Sequence, residues 1–268
     1  MSLAFVDRNP TPAEIERLRL VLSTFQDGTG MNAGGTLPGW RDFERAIAAV
    51  FGGIAQESKA VFDVLLNDEI KPDIYYGLSC KMGDQLDRLE RTKHAFMELS
   101  NSAKKFWDYL NLHNISQSMF KNQPQQTGEA LITLVEQWHQ EISIERGGNI
   151  DTVNSFYLVL AYNQRGWYQL LQFPLKLPNP KLLRWEFPMR VRANQQIMGN
   201  LRAYQENRRV FEWYGESGGQ LKYYPFIETA LWKSEKFRLE PLITSQEYGI
   251  LAKAMQYFPQ KWHQTYEE

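Results

Sequence analysis

The chain contains few of the residues that mark secreted, zinc-binding or membrane proteins. Its single cysteine, Cys80, excludes an internal disulfide and is typical of a reducing cytoplasm. Its four histidines are scattered, so the sequence offers no zinc-ligand cluster. No apolar run approaches the ~20 residues that cross a bilayer, and the first residues show no signal-peptide pattern. We therefore expect a cytoplasmic protein that does not associate with membranes.

The chain also lacks a net charge that would by itself indicate nucleic-acid binding, because its formal net charge is −1. Residues 181–240 nevertheless carry eleven Lys and Arg against seven Glu, whereas the remainder is acidic overall. An acidic catalytic centre beside a basic binding face would give this distribution, and so would chance. The charge pattern leaves both interpretations open.

Apolar residues are plentiful: they make up 43 % of the 268 positions, enough for one large domain or two small ones. Two runs rich in Val, Phe, Leu and Tyr, Lys59–Leu66 and Ile74–Met82, predict β-strands joined by a polar turn. Alternate side chains of a strand share a face, so Asp63 lies among apolar neighbours and Ser79 lies with Lys81. An acid and a lysine in such strands are costly to bury unless they are paired or used.

This combination resembles the core of the PD-(D/E)XK nucleases, and the type II restriction endonucleases in particular. Those enzymes place an aspartate on the first strand of a hairpin and a Glu/Asp-x-Lys triplet on the second. Here the aspartate is Asp63 and the triplet is Ser79-Cys80-Lys81, with serine in place of the usual acid. Some restriction enzymes carry the same substitution and recruit a carboxylate from a nearby helix.

The resemblance covers roughly residues 40–110. It implies an α/β fold with some α+β character, in which helices flank a mixed central sheet. It also implies a single nuclease domain over residues 1–268, with a catalytic core at about 40–115 and a DNA-recognition part at about 180–240.

Strand geometry decides which aspartate belongs to the motif. Asp73, in a literal Pro-Asp pair, precedes Ser79 by six positions on one predicted strand, which is roughly 20 Å. Asp63 folds back across the turn to lie opposite the Gly77–Ser79 region, where side chains are about 5 Å apart. We therefore assign Asp63 to the motif. A carboxylate that only stabilises the hairpin is the alternative.

The resemblance also implies the metal and its ligands. Mg²⁺ would be held by Asp63, by Glu44 on the predicted helix Trp40–Phe51, and by the backbone carbonyl of Cys80. Glu90, on a charged helix after the hairpin, could supply the carboxylate that Ser79 lacks; Asp84 and Asp87 are alternatives there. For Glu44 the alternative is a salt bridge with Arg41 or Arg45.

The function implied by the resemblance is Mg²⁺-dependent, sequence-specific cleavage of double-stranded DNA by a homodimer. Lys81 would contact the scissile phosphate and help to orient the attacking water. A repair or transposition nuclease of the same superfamily is an alternative, as is a non-catalytic DNA-binding or assembly protein. Sequence readout would fall to Arg, Asn and Gln side chains in the second half of the chain, for which a merely solvated face is the alternative. The candidates are Arg190, Arg192, Asn194, Gln195, Arg208 and Arg209.

Overall fold

A computed structural model describes residues 2–27, 29, 38–56, 61–67, 70–192, 195–242 and 249–264. Their helices, in chain order, are α1 (Pro12–Thr24), α2 (Trp40–Phe51), α3 (Leu86–Thr92), α4 (Ala103–Leu112), α5 (Pro124–Glu141), α6 (Gly249–Tyr257) and α7 (Pro259–Gln264). None of these helices combines the length and apolar character that crossing a bilayer requires.

The strands fall into three sheets. In chain order they are β1 (Gly53–Ala55), β2 (Val64–Asn67), β3 (Tyr75–Asp84), β4 (Met97–Ser100), β5 (Phe156–Tyr162), β6 (Trp167–Pro174), β7 (Arg184–Glu186), β8 (Met189–Arg192), β9 (Gln195–Met198), β10 (Leu201–Gln205), β11 (Arg208–Trp213), β12 (Leu221–Tyr223), β13 (Trp232–Lys233) and β14 (Phe237–Arg238).

The central sheet has the order β1-β2-β3-β5-β6-β13, and β14 also pairs with β6. Strands β3 and β5 run parallel, whereas their other neighbours are antiparallel, so the sheet is mixed. The crossover from β3 to β5 contains α3, β4, α4 and α5. This arrangement confirms the predicted α/β fold, with a mixed central sheet between helices.

Each face of the central sheet has its own apolar core. On one face Leu78 and Leu158 pack with α1 and α2, which contribute Leu18 and Phe43. On the other face Val159 packs with residues of α4, α5 and the second sheet. A sheet buried on both faces accounts for the nearly continuous apolar runs of β5 and β6.

The second sheet is entirely antiparallel, in the order β4-β12-β11-β10-β7. Its inner face joins the core of the central sheet: Phe211 stacks on Tyr223 at 4.9 Å, and Tyr223 meets Tyr157 of β5. Strand β4 comes from the predicted catalytic core, whereas the other four come from residues 184–223. The predicted recognition part is thus built together with a strand of the predicted catalytic core.

One of the predicted strands is wrong in its extent. The strand expected over Lys59–Leu66 begins at Val64, and residues 57–60 lie outside the described part of the chain. The reason is that β2 turns back from β1: the amide of Gln56 donates to the carbonyl of Asp63 at 2.8 Å. Asp63 therefore lies at the end of a connection, immediately before β2. The second strand, expected over Ile74–Met82, is confirmed as β3.

Candidate active site

The structure brings Asp63, Ser79 and Lys81 together. Lys81 Nζ lies 3.2 Å from Asp63 Oδ2, and Ser79 Oγ lies 3.4 Å from the same oxygen. The register Val64–Leu78 sets Asp63 beside Ser79, and the amide of Asp63 donates to the carbonyl of Leu78. The cross-strand proximity expected from strand geometry is present, while the catalytic roles of the three residues stay predictions.

A close contact between Phe62 and Gly77 fixes the position of the neighbouring residue Asp63. The preceding residue, Phe62, is buried, and a Cβ at Gly77 would meet its ring at 2.2 Å. Only glycine leaves room for that ring against β3. On its other side Phe62 stacks on His139 of α5 at 6.0 Å. The ring is thereby clamped between β3 and α5, which holds the neighbouring carboxylate in position.

The Asp63–Lys81 ion pair is reachable from solvent. The side chain of Lys81 is 23 % exposed and that of Asp63 is 26 % exposed, whereas Ser79 is buried. An ion pair at this depth contributes little to stability, because water still screens both charges. Either group can therefore exchange its partner for a ligand at small cost.

Cys80 and Glu44 lie towards the other face of β3. Cys80 packs in the same apolar core as Phe43 of α2. Burial raises the pKa of its thiol, and the negative charges of Asp63 and Glu44 act in the same direction. Glu44, on α2, is itself buried. The charge of Glu44 acts on Cys80, and the roles of Glu44 and of the Cys80 carbonyl as metal ligands stay predictions.

The donor set limits how a metal ion could be held. Among the residues that the structure describes, no group of three or more His, Cys, Asp or Glu could bind a metal. Mg²⁺ commonly uses one or two carboxylates and completes its octahedron with waters and substrate phosphate oxygens. Asp63 as a single carboxylate fits that pattern, whereas a dedicated all-protein cage does not.

Glu90 is engaged elsewhere. Its carboxylate forms an ion pair with Lys236, between β13 and β14. Both residues line a cavity of about 680 Å³ together with Arg165 and Trp167. The other acids of that helix region are held nearby: Asp87 pairs with Arg165 at 2.7 Å, and Asp84 accepts a hydrogen bond from Gln164. The prediction that Glu90 replaces the acid missing at Ser79 finds no support in these contacts.

The predicted DNA-contacting arginines are divided between two environments. Arg190 and Arg209 converge on Glu212, whereas Arg208 lies 3.6 Å over the ring of Phe226 and faces Glu228. Asn194 lies outside the described residues. The backbones of Arg192 and Gln195 pair in β8 and β9, and their side chains also lie outside the described part.

Glu212 is the residue that sequence reasoning missed. Its carboxylate is 2 % exposed and receives Arg190 at 3.1 Å, Arg202 at 2.9 Å and Arg209 at 2.8 Å. The hydroxyls of Tyr214 and Tyr224 also donate to it. We call this group the arginine cluster. The available signal was an acid between two large apolar residues, Phe211 and Trp213, which is similar to the signal that singled out Asp63.

The arginine cluster belongs to a row of alternating charges across the second sheet. The register places Arg202 of β10 beside Glu186 of β7 and Glu212 of β11, and Glu212 beside Lys222 of β12. Opposite charges on neighbouring strands stabilise a sheet. Three arginines around one buried carboxylate nevertheless leave this face with excess positive charge.

The two groups together could perform distinct chemistry. The Asp63–Lys81 pair offers one carboxylate for a divalent cation and one ammonium for a phosphate oxygen. The arginine cluster offers bidentate guanidinium groups suited to phosphates or to guanine.

Comparisons of the chain with protein-family models, curated proteins and solved structures found no match.

Proposed function

We propose that this protein is a Mg²⁺-dependent endonuclease that cuts double-stranded DNA at specific sequences, as type II restriction enzymes do. The observation that supports this most is the meeting of Asp63 and Lys81 at 3.2 Å beside Ser79. Asp63 immediately precedes β2, whereas Ser79 and Lys81 lie on β3, and the sequence pattern names the same three residues. A phosphodiester hydrolase needs a carboxylate for the metal and a cation for the phosphate at one place.

In this proposal Asp63 and Glu44 hold the metal, with the Cys80 carbonyl as a further oxygen ligand. Bound there, Mg²⁺ would supply water activation and charge stabilisation at the scissile phosphate. Lys81 exchanges Asp63 for a non-bridging phosphate oxygen and neutralises the charge that develops there. Phe62, clamped against Gly77, keeps the Asp63 carboxylate at a fixed distance from the ammonium group.

A restriction enzyme that reads a symmetric sequence cuts each strand with one subunit, so we propose a homodimer acting in the cytoplasm. The partner is then duplex DNA. A cognate DNA methyltransferase would be needed to protect the host genome, which makes a neighbouring methylase gene an independent indication.

The test is incubation of purified protein with plasmid DNA and Mg²⁺. Asp63→Asn and Lys81→Ala should each lower the cleavage rate about a thousandfold, since each removes a group that touches the metal or the phosphate. The matched control is Asp108→Asn, which breaks an exposed ion pair with Lys104 on α4 and should leave cleavage within about twofold.

The products separate the alternatives. Discrete bands support the restriction function, whereas smears or a preference for branched substrates support a repair or transposition nuclease. A folded protein that binds DNA without cutting it would indicate a non-catalytic DNA-binding protein. Full activity of Asp63→Asn would contradict the assignment of the site.

A further inference from the structure

Strands β8 and β9 form a two-stranded ribbon that is separate from both larger sheets. The register pairs Met189 with Met198 and Val191 with Gln196, so these four side chains share one face. All four are exposed, Val191 to 74 % and Met189 to 58 %. Apolar side chains of this size at such exposure indicate a surface that meets something else.

The base of the ribbon is firmly held. The amide of Gly199 donates to the carbonyl of Pro188 at 2.7 Å, which closes the ribbon behind its last pair. A Cβ at Gly199 would lie 2.8 Å from the carbonyl oxygen of Pro188 and 2.6 Å from Arg190 Nε, so glycine suits this close approach of the two strands. Arg190 then reaches Glu212 in the second sheet. The opposite face of the ribbon is therefore tied to the arginine cluster.

The surface behind the ribbon is cationic. Arg202 and Arg209 share Glu212 with Arg190, and these three guanidinium groups outnumber the two carboxylates beside them, Glu212 and Glu186. Arg209 and Arg88 lie over the ring of Tyr224, at 4.1 Å and 5.3 Å. These contacts fix the arginines in place while leaving part of each side chain in solvent. A fixed set of guanidinium groups is suited to a row of phosphates.

The dimensions of the ribbon fit a DNA groove. Two paired strands are about 4.8 Å apart, and four residues extend about 13 Å. The major groove of B-DNA is about 12 Å wide and about 8.5 Å deep, and it admits a two-stranded ribbon. A glutamine can pair with adenine there, and apolar side chains can contact the thymine methyl group.

We propose that the ribbon β8–β9 enters the major groove of duplex DNA, with Val191 and Gln196 at the base edges and the arginine cluster on the phosphates. Glu212 acts as a positioning residue, because it holds Arg190 at the base of the ribbon. This inference rests on the proposed function in one respect, that duplex DNA is the substrate. It adds the element that reads the DNA and the groove in which it does so.

A second copy of the chain is the other candidate for this surface. The exposed face carries only four side chains, and a stable dimer needs about 1,200 Å² or more of buried surface. The excess positive charge behind the ribbon would also repel a second copy of the same surface, whereas it attracts a polyanion. Charge and size both favour DNA.

The experiment measures binding of fragmented plasmid duplex by the Asp63→Asn protein without divalent metal, so that cleavage does not interfere. Adding Val191→Glu or Gln196→Glu should weaken binding about tenfold or more, because each places a carboxylate in the groove. The matched control is Val153→Glu, at a position that is also 74 % exposed, which should change binding less than about twofold. Methyl green, which occupies the major groove, should compete with the protein, whereas netropsin in the minor groove should not.

Three results would overturn the inference. They are unchanged binding in Val191→Glu and Gln196→Glu, competition by netropsin instead of methyl green, and no binding of duplex DNA at all. Dissociation of a dimer by Val191→Glu in sedimentation, with unchanged DNA affinity, would assign the surface to a second copy. If the wild-type protein binds as expected but cuts no DNA with Mg²⁺, the proposed nuclease function fails and the inference about the ribbon stands.

Discussion

Asp63 and Glu212 are both carboxylates that pair with positive charge, and their surroundings differ in kind. Asp63 faces one ammonium and one hydroxyl, and its side chain is 26 % exposed. Glu212 faces three guanidinium groups and two phenols, and it is 2 % exposed. The first carboxylate can change partners because water reaches it, whereas the second is saturated.

The comparison teaches that burial and the number of partners together decide what an acid in a sheet can do. Burial acts to raise the pKa of Glu212, but the hydrogen bond from Arg202 and the charges of Arg209 and Arg202 outweigh it, so the pKa is lowered. Glu212 therefore stays ionised as a support for its arginines. Asp63, with a sparse and reachable set of partners, is the better candidate for binding a ligand.

The largest effect on stability should follow from Glu212→Gln. The variant keeps the shape of the side chain but leaves three arginines without their common counter-charge. A fully buried pair that loses one partner costs about 3–5 kcal/mol, and the part-exposed arginines reduce this to about 2–3 kcal/mol. Urea unfolding at neutral pH measures the difference directly.

Two controls sharpen that result. Glu186→Gln removes an acid from the same row, where Glu186 pairs with Arg184 in solvent, and should cost less than about 0.5 kcal/mol. Asp63→Asn should change stability by less than about 1 kcal/mol, although it abolishes cleavage in our proposal. A loss at Asp63 as large as the loss at Glu212 would remove the distinction between the two carboxylates.

Lowering the pH should destabilise the surroundings of Asp63 and those of Glu212 over different pH ranges. Burial lowers the pKa of His139, behind Phe62, from 6.5 to about 4. Between these values the unfolded chain binds a proton that the folded chain does not, so stability falls as the pH falls below 6.5. The expected loss is about 2 kcal/mol at about pH 5. The lowered pKa of Glu212 acts later, as the pH falls below 4.5.

Two variants show which residue causes the loss of stability in each pH range. His139→Gln should flatten the dependence of the free energy of unfolding between about pH 6.5 and about pH 4, measured by urea titrations across that range. Glu212→Gln should leave this window intact and weaken the loss below it. His94, whose pKa is lowered first by burial and then by Arg208, leaves a residual slope in the upper window. An unchanged curve in His139→Gln would show that the ring is not held neutral by the fold.

The smallest expected effect is that of Ser79→Ala. The hydroxyl lies 3.4 Å from Asp63 Oδ2, at the outer limit of a hydrogen bond, and Lys81 approaches the same oxygen more closely. The rate of plasmid cleavage should fall by about threefold or less, and stability by less than about 1 kcal/mol. A hundredfold loss of rate would show that Ser79 takes a direct part, which would place it with Asp63 and Lys81.

The sequence by itself determined the local elements and the candidate site. Thr11 caps α1, and an apolar stripe runs along α2; capping and helical periodicity are local properties of the sequence. The alternation of side chains set Ser79 and Lys81 on one face, and the turn before β3 set Asp63 opposite them. All of this follows from interactions between residues near one another in the chain.

Only the tertiary structure decided which charged residues meet when they lie far apart in the sequence. Glu212 collects arginines from β8, β10 and β11, and β4 leaves the predicted core to complete the second sheet. Glu90 meets Lys236, 146 positions away, instead of the Asp63 site. The physical reason is that sheet order and strand register, which place these side chains, are set by the packing of two cores at once. No local pattern of polar and apolar residues specifies that packing.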